Sequence, residues 1–121
     1  MARLWIGLGS LSGLIAVGMA ALAAHGVASI GSARLEMLRN AVQMQGWHAL
    51  ALVACGLWAL HSGALLTHFA GSAFLAGTVL FCGAVYALSL AQASVAFLAP
   101  VGGTLLMLGW FLLGLSAVYA R

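Results

Sequence analysis

Residues 32–60 read SARLEMLRNAVQMQGWHALALVACGLWAL, and the two halves of this stretch suit different media. In the first half Ser32, Glu36, Arg39, Asn40 and Gln43 recur at three- and four-residue spacing, while Leu35, Leu38, Ala41 and Val42 fill the other side. That spacing predicts an amphipathic helix over Ser32 to Gln45, with Ser32 in the N-cap place. The second half, Trp47 to Leu60, is apolar but short for a membrane span. Two arrangements satisfy this pattern. The amphipathic stretch can lie on a membrane surface, or it can run straight into the apolar half and lengthen it to a full span. Gly46 at the junction is a place for a bend.

Outward from this stretch lie three longer apolar runs: Leu4 to Ala24, Phe69 to Leu90 and Val101 to Ala120. A helix rises about 1.5 Å per residue, so roughly 20 residues cross a hydrocarbon core of about 30 Å. Backbone polar groups in lipid must pair within their own segment or in a closed barrel. Continuous rather than alternating apolar runs select helices. The expected fold is an all-α integral membrane protein, a single transmembrane domain over residues 1–121. Its four transmembrane helices form a bundle, with an amphipathic helical segment between the first and second. The spans fall near residues 4–24, 46–60 (with upstream extension open), 69–90 and 100–120. Arg3 and Ala21-Leu22-Ala23 give the first run some likeness to a secretory signal, but its apolar part is longer than a signal's, and it reads as a retained helix. His61 to His68 and Gln92 to Ala99 read as connections, the two histidines as solvated. Pro100 suits the first turn of the fourth helix, where a missing N–H costs nothing.

Composition agrees. The chain is 65% hydrophobic and 4% charged, against about 25% charged in soluble domains. This excludes a soluble globular domain, a disordered chain and a nucleic-acid binder. Four arginines without a cluster make no polyanion-binding patch. Cys55 and Cys82 stand alone in apolar runs and read as small buried hydrophobes. Gly9, Gly13, Ala16, Ala20 and Ala24 form a small-residue stripe of the kind that lets helix backbones approach, within one bundle or across a dimer face. The bilayer is therefore the first partner, with other membrane proteins or a homo-oligomer after it. Arg3 and Arg121 on one side balance Arg34 and Arg39 on the other. Arg3 beside the first helix, with His61 and His68 on the same side, tips the termini to the cytoplasm.

Polar residues gather where spans one and three end and spans two and four begin: His25, Gln45, His48, Tyr86, Gln92, Pro100, Gly102 and Gly103. Intramembrane polar groups are costly and face inward. Gln45 and His48, three apart, share one side of their helix with Cys55. The plain reading makes His48 a hydrogen-bonded pin between helices. The sharper one sets His25 and His48 at similar depth as a haem or metal pair, or pairs a histidine with Tyr86 around a quinone. No CxxCH is present, and no carboxylate joins the group, which disfavours hard cations. Trp5, Trp47 and Trp58 fall near span ends as an aromatic belt, whereas Trp110 falls mid-span.

Catalysis finds little to work with. The chain has no Asp, and its lone Glu36 lies on the polar side of the amphipathic stretch. Neither a Ser/His/Asp triad nor a carboxylate pair can be assembled, and no span carries the acid that proton-coupled transport needs. The expected function is that of a non-enzymatic accessory or helper component of a membrane complex, with no resident cofactor. The alternative is a redox-linked or ligand-binding protein holding haem or quinone at His25, Gln45, His48 and Tyr86.

Five motifs occur in order: Ala24-His25-Gly26, Gln45-Gly46-Trp47-His48-Ala49-Leu50-Ala51-Leu52, Phe81-Cys82-Gly83-Ala84-Val85-Tyr86-Ala87-Leu88, Pro100-Val101-Gly102-Gly103 and Gly109-Trp110. In this order and spacing the chain resembles the domain-of-unknown-function 423 family of small bacterial inner-membrane proteins. The resemblance implies signature positions at His25, Gln45, His48, Tyr86, Pro100, Gly102, Gly103 and Trp110, and a place in the inner membrane. It implies no activity.

Overall fold

A computed structural model describes residues 1–120, the side chain of Ala28 excepted; the membrane side expected for Arg121 lies outside the described residues. Four helices follow in order: α1 Ala2–His25, α2 Ser32–Ser62, α3 Leu65–Ala91 and α4 Leu98–Tyr119. One 3-10 turn, Ala28–Ile30, links the first two. Three of the helices, α1, α3 and α4, are long and apolar enough to cross a membrane.

The two arrangements open for residues 32–45 resolve into one. α2 runs unbroken for 31 residues, so the amphipathic stretch and the apolar half are a single helix, which Gly46 does not interrupt. Ser32 is the first residue of that helix and makes no side-chain cap. At about 1.5 Å per residue α2 is roughly 46 Å long. Its inward side buries Leu38, Ala41, Gln45, His48, Leu52 and Cys55.

Packing is serial: α1 on α2, α2 on α3, α3 on α4. A closed bundle would also pack α1 along α4. Among the described residues that pair shares no extended contact, so the helices form an open layer with α1 and α4 outermost. Within it, α1/α2 and α3/α4 are tight antiparallel hairpins. Lipid gives helices no hydrophobic reason to associate, so close approach and dispersion must hold them. Glycine provides the approach. A Cβ on Gly9 would stand 2.7 Å from the carbonyl oxygen of Ala49, and one on Gly77 would stand 2.9 Å from that of Gly102. Thus Gly9 of the small-residue stripe is used inside the chain.

The expected connection from His61 to His68 shrinks to Gly63–Ala64. His61 belongs to the last turn of α2 and His68 to the first turns of α3. Gly63 takes φ 61° and donates its N–H to Ala59, closing α2 with the left-handed residue that only glycine adopts without strain. Pro100 stands in the first turn of α4, as its missing N–H requires. Cys55 and Cys82 are free and buried.

Candidate functional site

The polar residues that the sequence groups together separate into two hydrogen-bonded junctions within the layer. The first joins three helices. Tyr86 on α3 donates its hydroxyl to Gln45 Oε1 on α2 at 2.5 Å. Gln45 Nε2 donates in turn to the carbonyl oxygen of Ser12 on α1 at 3.2 Å, with Ser12 Oγ at 3.4 Å. Gln45 is buried, so both ends of its amide meet protein rather than lipid. Ser12 accepts mainly through its backbone, which no side-chain pattern advertises.

The second junction joins α2 to α4. Trp110 donates its indole N–H to His48 Nε2 at 3.1 Å. The other ring nitrogen, Nδ1, lies 2.6 Å from the carbonyl oxygen of Met44. An indole nitrogen only donates, so Nε2 accepts and Nδ1 carries the proton. Phe74 of α3 completes this layer, edge-on to Trp110 with ring centroids 5.1 Å apart and 5.7 Å from the His48 ring. Gly109 makes room for Phe74: a Cβ there would press on the Phe74 ring at 2.6 Å. Trp110 itself remains 50% exposed, so only its nitrogen edge enters the core.

His25 belongs to neither junction. α1 and α2 are antiparallel, with Gly9 against Ala49 and Ser12 against Gln45. His48 therefore lies level with the middle of α1, whereas His25 is the last residue of α1 and exposed. The separation along the axis is roughly 20 Å at 1.5 Å per residue. The expectation of similar depth is corrected on this point. The connection Gly26–Gly31 and more than four turns of α2 lie between the two positions in sequence, and the antiparallel path carries His48 deep into the layer. The same register moves Gln45 from the membrane face, where the sequence places it, to mid-depth, whereas Tyr86 stays five residues from the end of α3 and reaches Gln45 with its hydroxyl.

Of Pro100, Gly102 and Gly103, only Gly102 shapes the approach of α4 to α3. A Cβ on Gly102 would run into the Phe81 backbone, whereas one on Gly103 would meet only the Phe81 ring edge at 3.8 Å. Gly102 is thus a packing residue, and Gly103 is not needed for that contact. Thr104 returns its hydroxyl to the Pro100 carbonyl at 2.9 Å, meeting an acceptor of the first turn.

Two further links escape the sequence reading. Trp5 is buried, not a lipid-facing belt residue, and donates its indole N–H to His68 Nδ1 at 2.9 Å. Its ring lies against Gly71. His68 is accordingly a packed partner of α1 rather than a solvated residue. Arg34 donates to the Ser89 carbonyl at 2.7 Å, placing a cation on the C-terminal end of α3. A groove of about 320 Å³ between α1 and α3 is walled by Ser12, Gln45, Thr78, Cys82 and Tyr86 among apolar side chains. Among the described residues no group of three or more His, Cys, Asp or Glu converges.

The chain can now be set beside known proteins. A family model described as a protein of unknown function (DUF423) matches residues 19–103. A UPF0382 membrane protein of Haemophilus influenzae is 34% identical over 123 residues, covering 100% of this chain and 98% of its own. The UPF0382 membrane protein YwdK of Bacillus subtilis is 34% identical over 119 residues, covering 96% and 97%. The UPF0382 inner membrane protein YgdD of Escherichia coli K12 is 32% identical over 112 residues, covering 90% and 85%. No solved structure matches. With its long apolar helices, the chain belongs to this family of membrane proteins of unknown function.

Proposed function

We propose that this protein is a non-enzymatic, four-span component of the bacterial inner membrane that serves as an accessory or helper subunit, with no prosthetic group. The observation that carries the reading is the mutual pairing of its core polar groups. Gln45 bonds to Tyr86 and Ser12, and both His48 nitrogens are occupied by Trp110 and Met44. Groups engaged this way tie helices together and are not themselves free to act as base, nucleophile or ligand. Intramembrane pairs of this kind are worth about 1 kcal/mol each, enough to fix the register of a small helix layer. The fourth span is α2. Its length, and its burial between α1 and α3, support membrane depth despite its polar residues. Purification from the native membrane in mild detergent should bring down a second protein in fixed ratio. Recovery of this chain alone would count against the accessory role.

A second reading has one observation in its favour. Thr78 Oγ1 is buried without a hydrogen-bond partner among the described residues, and Thr78 lines the α1/α3 groove beside Gln45 and Tyr86. A neutral lipid-soluble ligand with a carbonyl, of the quinone class, suits such a wall. For haem, His48 would first have to give up Trp110. Organic extraction of gently purified protein, with an absorbance spectrum before and after dithionite, tests both ligands. A quinone in molar ratio, or a Soret band, would move this reading to first place.

A further inference from the structure

α2 is amphipathic at a depth where amphipathicity has no use in a lone molecule. Asn40 and Gln43 are exposed. Ala41 O accepts from Cys82 Sγ on α3, and Val42 and Gly46 share a groove with Gly13, Ala16 and Val17 of α1. With Gly9 against Ala49 and Ser12 against Gln45, Gln43 is level with Leu14 and Ile15, at about the middle of the α1 apolar run. Val17 and its neighbour Leu14 are 70% and 69% exposed, as lipid-facing residues of a span are. An amide at that depth meets hydrocarbon unless protein covers it, and an unpaired amide in hydrocarbon costs several kcal/mol. Arg39, with its long stem, can reach toward the headgroups. Asn40 and Gln43 are too short to do so.

The outer side of α2 carries a further regularity. Glu36, Arg39, Gln43, Gly46, Leu50, Val53 and Leu57 follow one another at spacings of three and four, the repeat of a coiled-coil seam. All are exposed or half-buried, and a Cβ on Gly46 would meet nothing within 4 Å. Gly46 is thus not needed to pack α2 against its own chain. Beside it runs a groove of about 490 Å³ floored by Gly13, Ala16, Val42 and Ala49.

We infer that α2 is the seam of a parallel homodimer, with Gln43 paired to Gln43 of a second copy at mid-membrane. The occupant follows from self-complementarity. Two copies inserted the same way are related by a two-fold axis along the membrane normal, so α2 meets α2 in parallel and each seam residue meets its own equivalent. A carboxamide both donates and accepts, so Gln43 can satisfy its own copy. At the N-terminal end of the seam, Glu36 of each copy comes beside Arg39 of the other, opposite charges one helical turn apart. Gly46, one turn beyond Gln43, lets the backbones close to the distance the amide pair needs. Polar layers at one end of a seam that is apolar from Gly46 onward also fix its register. The inference goes beyond the accessory role and does not rest on it.

Cysteines introduced singly in the full-length chain as Gln43→Cys, Leu50→Cys and Val79→Cys test this by copper-phenanthroline oxidation in native membranes. Val79 is exposed on α3 and serves as the lipid-facing control, while the unsubstituted chain, with Cys55 and Cys82 buried, is the blank. Gln43→Cys and Leu50→Cys should give a disulfide-linked species of twice the chain mass, and Val79→Cys should not. Adding Gln43→Leu to Leu50→Cys should weaken association about tenfold, the scale of one intramembrane amide pair, and Gly46→Leu should weaken it at least as much. Cross-linking equal at all three positions, or none at Gln43 and Leu50, overturns the inference. A disulfide from Gln43→Cys to a different protein also overturns it, while leaving the accessory reading standing. A homodimer with no second protein supports the inference and counts against that reading.

Discussion

Trp110 on α4 donates to Nε2 of His48 on α2, and Trp5 on α1 donates to Nδ1 of His68 on α3. The two indoles therefore take opposite nitrogens. Each bond ties two helices that are not consecutive in the chain, across a layer otherwise packed in series.

The tautomers follow directly. Neutral His48 should carry its proton on Nδ1, shared with the Met44 carbonyl, and neutral His68 should carry its proton on Nε2. Nitrogen NMR of histidine-labelled protein in micelles or bilayers, with His48→Gln and His68→Gln for assignment, distinguishes the two patterns. The same tautomer at both positions would contradict the pairing.

Removing an indole N–H tests what these bonds contribute. Trp110→Phe keeps most of the ring against Phe74 but leaves His48 Nε2 without its donor. The loss should be about 1 kcal/mol, the scale of an intramembrane hydrogen bond, read as a lower unfolding midpoint in detergent. His48→Ala also empties a buried ring site and should cost more, about 2–4 kcal/mol. A Trp110→Phe variant as stable as the parent would show that the indole is held by packing alone.

Gln45, His48 and Tyr86 are legible because polar groups in apolar runs stand out, Trp110 only through the family resemblance, and the structure turns all four into helix-to-helix bonds. Their partners are less legible. Ser12 contributes chiefly a carbonyl oxygen, and Phe74 is one apolar residue among many. His25 is misplaced by the sequence because adjacency to a span end says nothing of antiparallel register. α2 is harder still: its inward polar residues lower its hydropathy, so it looks like a surface segment followed by a short span. Only its packing between α1 and α3 shows a single helix. Trp5 and His68 look like a belt residue and a loop residue because their meeting across more than sixty positions leaves no local trace.

Gln45 should couple to Tyr86 beyond the sum of separate effects. Tyr86→Phe frees one end of the amide, and Gln45→Leu frees the Tyr86 hydroxyl together with Ser12. A double-mutant cycle on unfolding should give a coupling of about 0.5–1.5 kcal/mol. Additive losses within error would mean that the 2.5 Å bond is absent in the membrane.

Adjacent glycines on α4 should differ sharply. Gly102→Ala sets a methyl group against the Phe81 backbone, which cannot yield without moving α3 from α4. Overpacking of this kind costs about 1–3 kcal/mol. Gly103→Ala brings the methyl only to ordinary contact with a ring edge, and Gly83→Ala meets nothing within 4 Å. Both should fold with unchanged midpoints. Equal tolerance at 102 and 103 would show that the α3/α4 hairpin is looser than this geometry requires.

The remaining arginines bear on orientation. The tie between Arg3 and Arg121 on one side and Arg34 and Arg39 on the other treats all four charges as equal. They are not equal in the fold, because Arg34 is engaged by the Ser89 carbonyl at the end of α3. A guanidinium held at a helix C-terminus is partly compensated by the helix dipole, which weakens its pull on topology. Arg3, beside the first helix to insert, then weighs more. With α2 as a span the chain has an even number of crossings, so both ends share one side. A green fluorescent protein fused after residue 121 should fluoresce, and alkaline phosphatase fused at the same point should be inactive. The reverse pair of results would put the termini outside, and opposite results from N- and C-terminal fusions would remove α2 from the spans. Arg3→Ala should shift a fraction of the chains to the inverted form, whereas Arg34→Ala should lower stability without inverting them.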